Sequence, residues 1–546
     1  MDKRLADLSA FGKRPGDYWR REGFWGRAPL WERVHDVARA TPDKLAIREY
    51  QEDTTYAQLW DSASRYQQAM ARSGVGRGDI VLVQLPNWSE FVFTAVAAEL
   101  NATVFSFCPI QWDKRETLRA LRLIRPSIWF TSIAPRQGDD RSQMIRDILA
   151  ELGADAPQVV LMRSVAVEGA VSEKDWVNGI QQQPSVSSEG GRGQDPLEIA
   201  VTSGSTGDPK GVLHVHDSAI ATVDSTIERQ GIGPQDIVHL ALPVGHTFGY
   251  FYGMRCALQA RAALLLQHGW EVDEALELIS ANRATVSLGP SAFIIDMIGL
   301  RPDQIQKLSS LWLFTLSGDS LPGPIVRKAI ESMPFRISRA LGMTEFGHAL
   351  STDAEMSSDD VADTLGTPQP GMTFRIVDDQ GNSLAPGTEG QIGVSGPFLF
   401  AGYMSDRALN QDVLDRDGFF PTGDLGTLDG RGFLRITGRL KNVIRRGAET
   451  IPVSLLEDLI ATHPDVLHAM VVGVPDERLG ELPVACVQLK AGKSLALADI
   501  EALFQTQHIT KKYWPAALRL IENWPIGATG KIDRKTLVEQ YQQSAR

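Results

Sequence analysis

Eleven residues at 201–211, VTSGSTGDPKG, place four hydroxyl side chains, three glycines and one lysine directly behind the apolar lead LEIA. Such a mixture suits a phosphate cradle. Ser203, Ser205 and Thr206 offer hydroxyl donors, Gly204, Gly207 and Gly211 let backbone N–H groups come close to an anion, and Lys210 adds positive charge. The spacing is not that of a Walker A loop: counted from Gly204, the second required glycine falls on Pro209, and Gly211 stands where Ser or Thr should follow the lysine. On composition alone a solvated Gly/Ser turn is the commoner meaning of such a run.

The surrounding chain must hold this stretch in place, and its patterns point to an α/β protein. A helical period in TYAQLWDSASRYQQAMARSG gives way to the short apolar run DIVLVQLP, and this alternation continues for most of the length. The segments GVGRGDIVLVQLP at 74–86 and GIGPQDIVHLALP at 231–243 share one frame that runs into a strand, which predicts two similar α/β subdomains. Neither is a dinucleotide fingerprint, because Asp79 and Asp236 occupy the third glycine position and a strand follows instead of a helix. The connector at 179–196, rich in Gln, Ser and Gly, reads as a linker between subdomains. From about 371 short strands and turns predict a small β-rich subdomain, and after ITGRLKNVI a last unit of mixed pattern follows.

At 546 residues the chain exceeds what one core fills, so at least two domains are expected. A net charge of -12 argues against non-specific nucleic-acid binding and requires any anionic ligand to be held by a local basic cluster. Cys108, Cys256 and Cys486 have no metal-site spacing, and no apolar run reaches membrane-spanning length. The N-terminus has no signal-peptide pattern, so the cytoplasm is the expected location.

Five stretches in order carry a resemblance. TSGSTGDPKG, GMTE at 342–345, PTGDLG at 421–426, GRLKNVI at 438–444 and GATGKI at 527–532 resemble the motifs of the adenylate-forming superfamily, in its acyl-CoA synthetase branch. The resemblance implies a large N-terminal domain, 1–438, of two α/β subdomains plus a small β-rich one, and a small mobile α+β C-terminal domain, 439–546. It also implies activation of a carboxylate with ATP to an acyl-adenylate, then transfer to a thiol. Thr202, Ser203, Gly204, Ser205, Thr206, Gly207 and Lys210 would wrap the phosphates. Thr344 would meet the α-phosphate, and Glu345, with Thr206, would hold Mg²⁺. Gly318, Asp319, Gly342 and Met343 would border the nucleotide, and Asp424 and Arg439 would take the ribose. Leu341 stands where the family usually stacks an aromatic ring on adenine. Lys531 would reach the reacting carboxylate and α-phosphate during adenylation, and Lys441 would be the hinge for the second step. Gly447, Arg445 and Arg446 would then face coenzyme A.

By the same resemblance the acyl pocket is lined by His246, Thr247, Phe248 and Gly249, by Gly289 and Pro290, and by Ser317, with Tyr250 and Phe251 adding aromatic surface. Thr247 supplies no charge for a substrate amine, which disfavours an amino acid. The expected substrate is a medium-chain, alicyclic or aryl acid. The expected acceptor is coenzyme A, the alternative being a carrier-protein phosphopantetheine. A homodimer is the other partner left open.

Overall fold

In a computed structural model the described residues are 16–544, apart from 51, 137, 181–189, 203–208, 319–320, 405–409, 412, 441–443, 447–448, 452, 477, 508 and 527–531. They form a mixed α/β molecule with a large N-terminal and a small C-terminal domain. One sheet of nine strands is parallel through its middle and antiparallel at both margins; a second, of eight strands, is parallel from Pro196–Thr202 to its far edge. A four-stranded antiparallel sheet spans Thr373–Val377 to Leu434–Arg439, and a further sheet is built from strands beyond residue 443.

The repeated frame marks the two large sheets. Gly74 and Gly231 both end helices with positive φ, +77° and +81°. In the next turn Asp79 accepts the N–H of Gly76 at 2.9 Å and Asp236 accepts that of Gly233 at 2.7 Å. Each turn launches a fully or largely buried strand, Ile80–Val83 in the eight-stranded sheet and Ile237–Leu240 in the nine-stranded one. The same local chemistry therefore opens a central strand in both subdomains, as the echo implies.

The connector at 179–196 is a correction. The strands on either side of it, Ala170–Ser172 and Pro196–Thr202, belong to the same eight-stranded sheet, so the chain there crosses one sheet and does not pass between subdomains. Its composition marks a break in periodicity, and that says nothing about which sheet receives the next strand.

Four strands of the nine-stranded sheet position the chemistry. Ile237–Leu240, Val286–Gly289, Leu313–Ser317 and Arg336–Met343 are successive parallel neighbours, so their C-terminal ends share one margin. Residues 242–249, Pro290, Gly318 and Thr344 lie just beyond those ends, the usual ligand-binding margin of a parallel sheet. Phe91, Phe105 and Phe107 from the other subdomain pack on Tyr250, the ring centroids of Phe105 and Tyr250 lying 5.4 Å apart. Apolar contact between the subdomains thus backs the site from behind. Residues beyond 443 have their own core, including Ile444, Leu456, Ile460 and Val471.

Candidate active site

Strand Pro196–Thr202 and strand Lys210–Val215 run antiparallel with Thr202 opposite Lys210, which brings the two ends of the hydroxyl-rich stretch together. Ser203, Gly204, Ser205, Thr206 and Gly207 lie outside the described residues. Gly211 does not serve an anion: it sits within the strand, where an added Cβ would come 2.9 Å from Ile199 and 3.2 Å from Met404. Its missing side chain makes room for apolar packing, a correction to its place in the cradle.

GMTE occupies the turn of a hairpin. Strand Arg336–Met343 pairs antiparallel with Gly347–Ser351, and Thr344, Glu345 and Phe346 join them. Two contacts fix this turn against the phosphate-loop strands. His214, on Lys210–Val215, donates Nε2–H to the Thr344 carbonyl at 2.7 Å, and the Phe400 N–H is donated to the Glu345 carbonyl at 2.8 Å. Burial pushes the His214 pKa down to about 4, so its ring is neutral and the Nε2–H tautomer is set by that bond. Thr247 donates its hydroxyl towards Thr344 Oγ1 at 3.4 Å, joining the 242–249 segment to the same turn.

Glu345 carries its carboxylate beside Lys210 and accepts the Tyr403 hydroxyl on Oε1 at 2.8 Å. Withdrawal from water pushes this carboxyl above the ordinary carboxylate range, opposed by the Tyr403 bond and the nearby cations. Thr344 and Glu345 both offer oxygen, the donor type a hard divalent cation takes. Among the described residues no three His, Cys, Asp or Glu side chains gather as a metal centre. Among the described residues Glu345 and Thr344 supply one carboxylate and one hydroxyl here; Thr206 lies outside them.

A cavity of about 530 Å³ opens beside the hairpin, bordered by Gly318, Leu341, Gly342, Asp424, Ile436 and Arg439. Gly318 adopts φ +100°, a conformation glycine supplies without strain. Asp424 is 2% exposed, and Arg439, directly opposite in register, places Nε 2.6 Å from Asp424 Oδ1. Leu341 and Ile436 give the cavity an aliphatic wall. Asp533 and Arg534 of the small domain also border it, so both domains contribute. Asp319 lies outside the described residues, as does Lys531.

Residues 242–249 turn sharply from strand to helix. An added Cβ at Gly249 would lie 2.3 Å from the Pro243 carbonyl oxygen, and one at Gly245 would lie 2.6 Å from that of Cys108. His246 Nδ1 accepts the Phe248 N–H at 3.3 Å. The helix that follows, Gly249–Arg255, is of the π type. Its wide turn sets Phe248 and Tyr252 on one side. Tyr252 stacks on His348 with centroids 3.4 Å apart and planes 3° apart, and Phe248 meets the same imidazole edge-on at 5.5 Å. The Tyr252 hydroxyl is shared with Thr222 at 2.7 Å and accepts the His348 N–H. Gly347 makes this approach feasible, since its Cβ would lie 2.4 Å from Tyr252 Oη at φ +58°. Tyr250 belongs to the inter-subdomain core described above and not to the slot, a correction. Gly289, too, is a packing position: its Cβ would lie 2.2 Å from Phe293. Pro290 precedes the helix Ser291–Ile298, and Ser317 ends its strand opposite Ala340.

A larger cavity, about 860 Å³, extends from Leu242, Pro243 and Gly245 past the stacked pair Trp270 and Phe293 to Trp524 and Ile526 of the small domain. Arg446 borders neither cavity; its guanidinium donates to the Lys512 carbonyl at 2.9 Å. Lys441 and Gly447 lie outside the described residues, as does the side chain of Arg445.

Sequence reading missed His214, Tyr252, His348 and Tyr403. Tyr252 lies in the aromatic run FGYFY at 248–252, and the π turn sends it to His348 while Tyr250 packs on Phe105. His348 and Tyr403 stand one strand or a long loop away from the motifs they serve.

A family described as AMP-binding enzyme matches residues 34–404, and one described as AMP-binding enzyme C-terminal domain matches 455–531. The chain is 29% identical over 523 residues to a medium-chain fatty-acid–CoA ligase of Escherichia coli, covering 94% of this chain and 91% of that protein. It is 28% identical over 549 residues to a salicyl-AMP ligase / salicyl-S-ArCP synthetase of Mycobacterium tuberculosis, covering 98% and 95%. The crystal structure of ATP-bound MatB from Rhodopseudomonas palustris superimposes with a TM-score of 0.82 at 25% identity, covering 95% of this chain and all of that one. With about two-thirds of its length matched by one family model and a second model matching the C-terminal part, this chain belongs to the AMP-binding enzymes.

Proposed function

We propose that the protein is an AMP-forming acyl-CoA ligase: it joins a carboxylic acid to AMP at the expense of ATP, releasing pyrophosphate, then passes the acyl group to the thiol of coenzyme A. The observation that carries this reading is a cavity of about 530 Å³ bordered by Asp424, Arg439 and the Leu341–Gly342 end of the hairpin strand, next to the turn that carries Thr344 and Glu345 and beside which Lys210 and Thr247 lie. Attack of a carboxylate on a phosphate is attack of one anion on another, so oriented donors and positive charge at the developing transition state are the main requirement. Lys210 and the 202–207 segment meet the outer phosphates, Thr344 orients the α-phosphate, and Asp424 accepts from the ribose hydroxyls. Mg²⁺, held by Glu345 with Thr206, supplies further charge neutralisation when bound.

The boundary is placed at 438/439, with Lys441 as hinge. Lys531 enters the site for the first step; for the second, rotation of the small domain brings Gly447, Arg445 and Arg446 towards coenzyme A. A cytoplasmic location is consistent with the use of ATP and coenzyme A.

The rigid cluster of Phe248, Tyr252 and His348, packed behind the His246–Thr247 segment, supports a compact acid, flat or alicyclic, over an extended straight chain. All three are nearly or fully buried, and Tyr252 is held by two hydrogen bonds. Similarity to a salicyl-AMP ligase / salicyl-S-ArCP synthetase supports the second reading, in which the acyl group passes to a carrier-protein phosphopantetheine.

The division of labour is tested with Lys531→Ala. Adenylation, followed as acid-dependent exchange of labelled pyrophosphate into ATP, is expected to fall at least ~10²-fold, on the order of one lost transition-state donor. Thioester formation from supplied acyl-adenylate is expected to stay within about threefold of the parent, less than 1 kcal/mol. Equal loss in both half-reactions contradicts the assignment.

A further inference from the structure

Tyr403 is assigned no task by the motifs, yet it touches two of the groups on which the proposed chemistry depends. It lies in the two-residue strand Gly402–Tyr403, which pairs antiparallel with the lysine-bearing strand, Tyr403 opposite Val212. Asn410 clamps its backbone from both sides, accepting the Tyr403 N–H at 2.8 Å and donating to its carbonyl at 2.7 Å. Its ring packs edge-on against Phe400, with centroids 4.9 Å apart, and Phe400 in turn donates its N–H to the Glu345 carbonyl. Tyr403 is 8% exposed, so neither its backbone nor its ring is free to swing.

From this fixed position two polar contacts leave the ring. The hydroxyl donates to Glu345 Oε1 at 2.8 Å, and the ring face lies 4.9 Å beneath Lys210 Nζ. Tyr403 thus contacts both groups; among the described residues no ion pair within 4.0 Å joins Lys210 to Glu345, although the lysine charge is near enough to pull the Glu345 carboxyl down. The difference is chemical. A lysine seated on the carboxylate would cancel its charge and occupy the oxygens a cation needs, whereas a neutral hydroxyl orients one oxygen and leaves the full negative charge in place. The ring likewise holds the ammonium by its face without neutralising it, so the charge stays available to phosphate.

We propose that Tyr403 is a positioning residue: it keeps Glu345 and Lys210 apart, fixing the carboxylate for a divalent cation through its hydroxyl and the ammonium for phosphate through its ring. This rests on the reading above, in which Glu345 holds the cation and Lys210 the phosphates. The two halves are separable by substitution. Tyr403→Phe removes the hydroxyl and keeps the ring, and Tyr403→Leu removes both.

The test uses the full-length protein with Mn²⁺ as probe, titrated by electron paramagnetic resonance in the presence of a non-hydrolysable ATP analogue and checked by circular dichroism for retained fold. Tyr403→Phe is expected to weaken Mn²⁺ binding about tenfold, the factor that corresponds to ~1.4 kcal/mol. The Mg²⁺ concentration for half-maximal pyrophosphate exchange should rise in parallel, with KM for the acid unchanged. Tyr403→Leu should add a rise in KM for ATP of several-fold that Tyr403→Phe does not show. Glu345→Gln, run alongside, separates two failures. If Glu345→Gln loosens Mn²⁺ and Tyr403→Phe does not, the positioning role is overturned while the metal assignment stands. If both bind Mn²⁺ like the parent, the assignment of Glu345 to the cation falls and takes the proposal with it.

Discussion

On the proposed reading Tyr252 backs the segment that receives the acid and limits its size. Its ring is sandwiched against His348, its hydroxyl is committed to Thr222 and to the His348 backbone, and burial holds the His348 pKa at about 3, so the imidazole is a neutral, rigid face. Tyr252→Leu should deepen the slot, because a change of even one methylene in an apolar pocket shifts discrimination by roughly 10–200-fold. The ratio of kcat/KM for octanoate over benzoate is expected to rise at least ~10-fold, at a stability cost of about 1–3 kcal/mol for the polar partners left unpaired. An unchanged ratio would remove Tyr252 from the acyl slot. At this scale the sequence was most legible where motifs single residues out: Thr344 and Glu345 share one hairpin turn, and Asp424 stands opposite Arg439 across a strand pair. It was least legible where a side chain acts across the chain, as with Tyr403 on Glu345, 58 residues away, or His214 on Thr344, 130 residues away. No local pattern distinguishes such a tyrosine or histidine from an ordinary packed one.

Elements decide which motif residues can meet. The parallel order of four strands delivers residues 242–249, Pro290, Gly318 and Thr344 to one margin, and period alone predicts such strands without predicting their order. The π turn at Gly249–Arg255 is the clearest case: the aromatic run TFGYFY was visible, but the face each ring takes depends on turn width, which turns Tyr252 towards His348 and Tyr250 towards Phe105. Gly249 is the element's weak point. Gly249→Ala would push a methyl into the Pro243 carbonyl, against backbone that cannot rotate aside as a side chain can. We expect destabilisation of ~1–3 kcal/mol, read as a lowered Tm, together with a raised KM for the acid as residues 242–248 shift. A Tm and KM equal to the parent's would contradict the close packing at this turn. The connector at 179–196 taught the converse lesson, since a composition break there marked a crossing within one sheet.

At the scale of the whole molecule, the two large sheets share a core, while the residues beyond 443 pack around their own apolar cluster and reach the rest at the cavity walls. That arrangement suits a chemistry in two steps, in which one domain holds the adenylate and the other changes what faces it. The division into a large and a small domain was readable from length, from the change to short strands near 371 and from the order of the motifs. The larger cavity was not, because Leu242 and Gly245 meet Trp524 and Ile526 only through the tertiary fold. Whether this machinery ends on coenzyme A is the central claim, and product identity tests it most directly: pyrophosphate release with compact aromatic, alicyclic and straight-chain acids, each with and without coenzyme A, followed by mass detection of the acyl product. Sustained turnover is expected only with coenzyme A, with an acyl-CoA product and preference for the compact acids. A single-turnover burst of adenylate that coenzyme A does not relieve would contradict that claim.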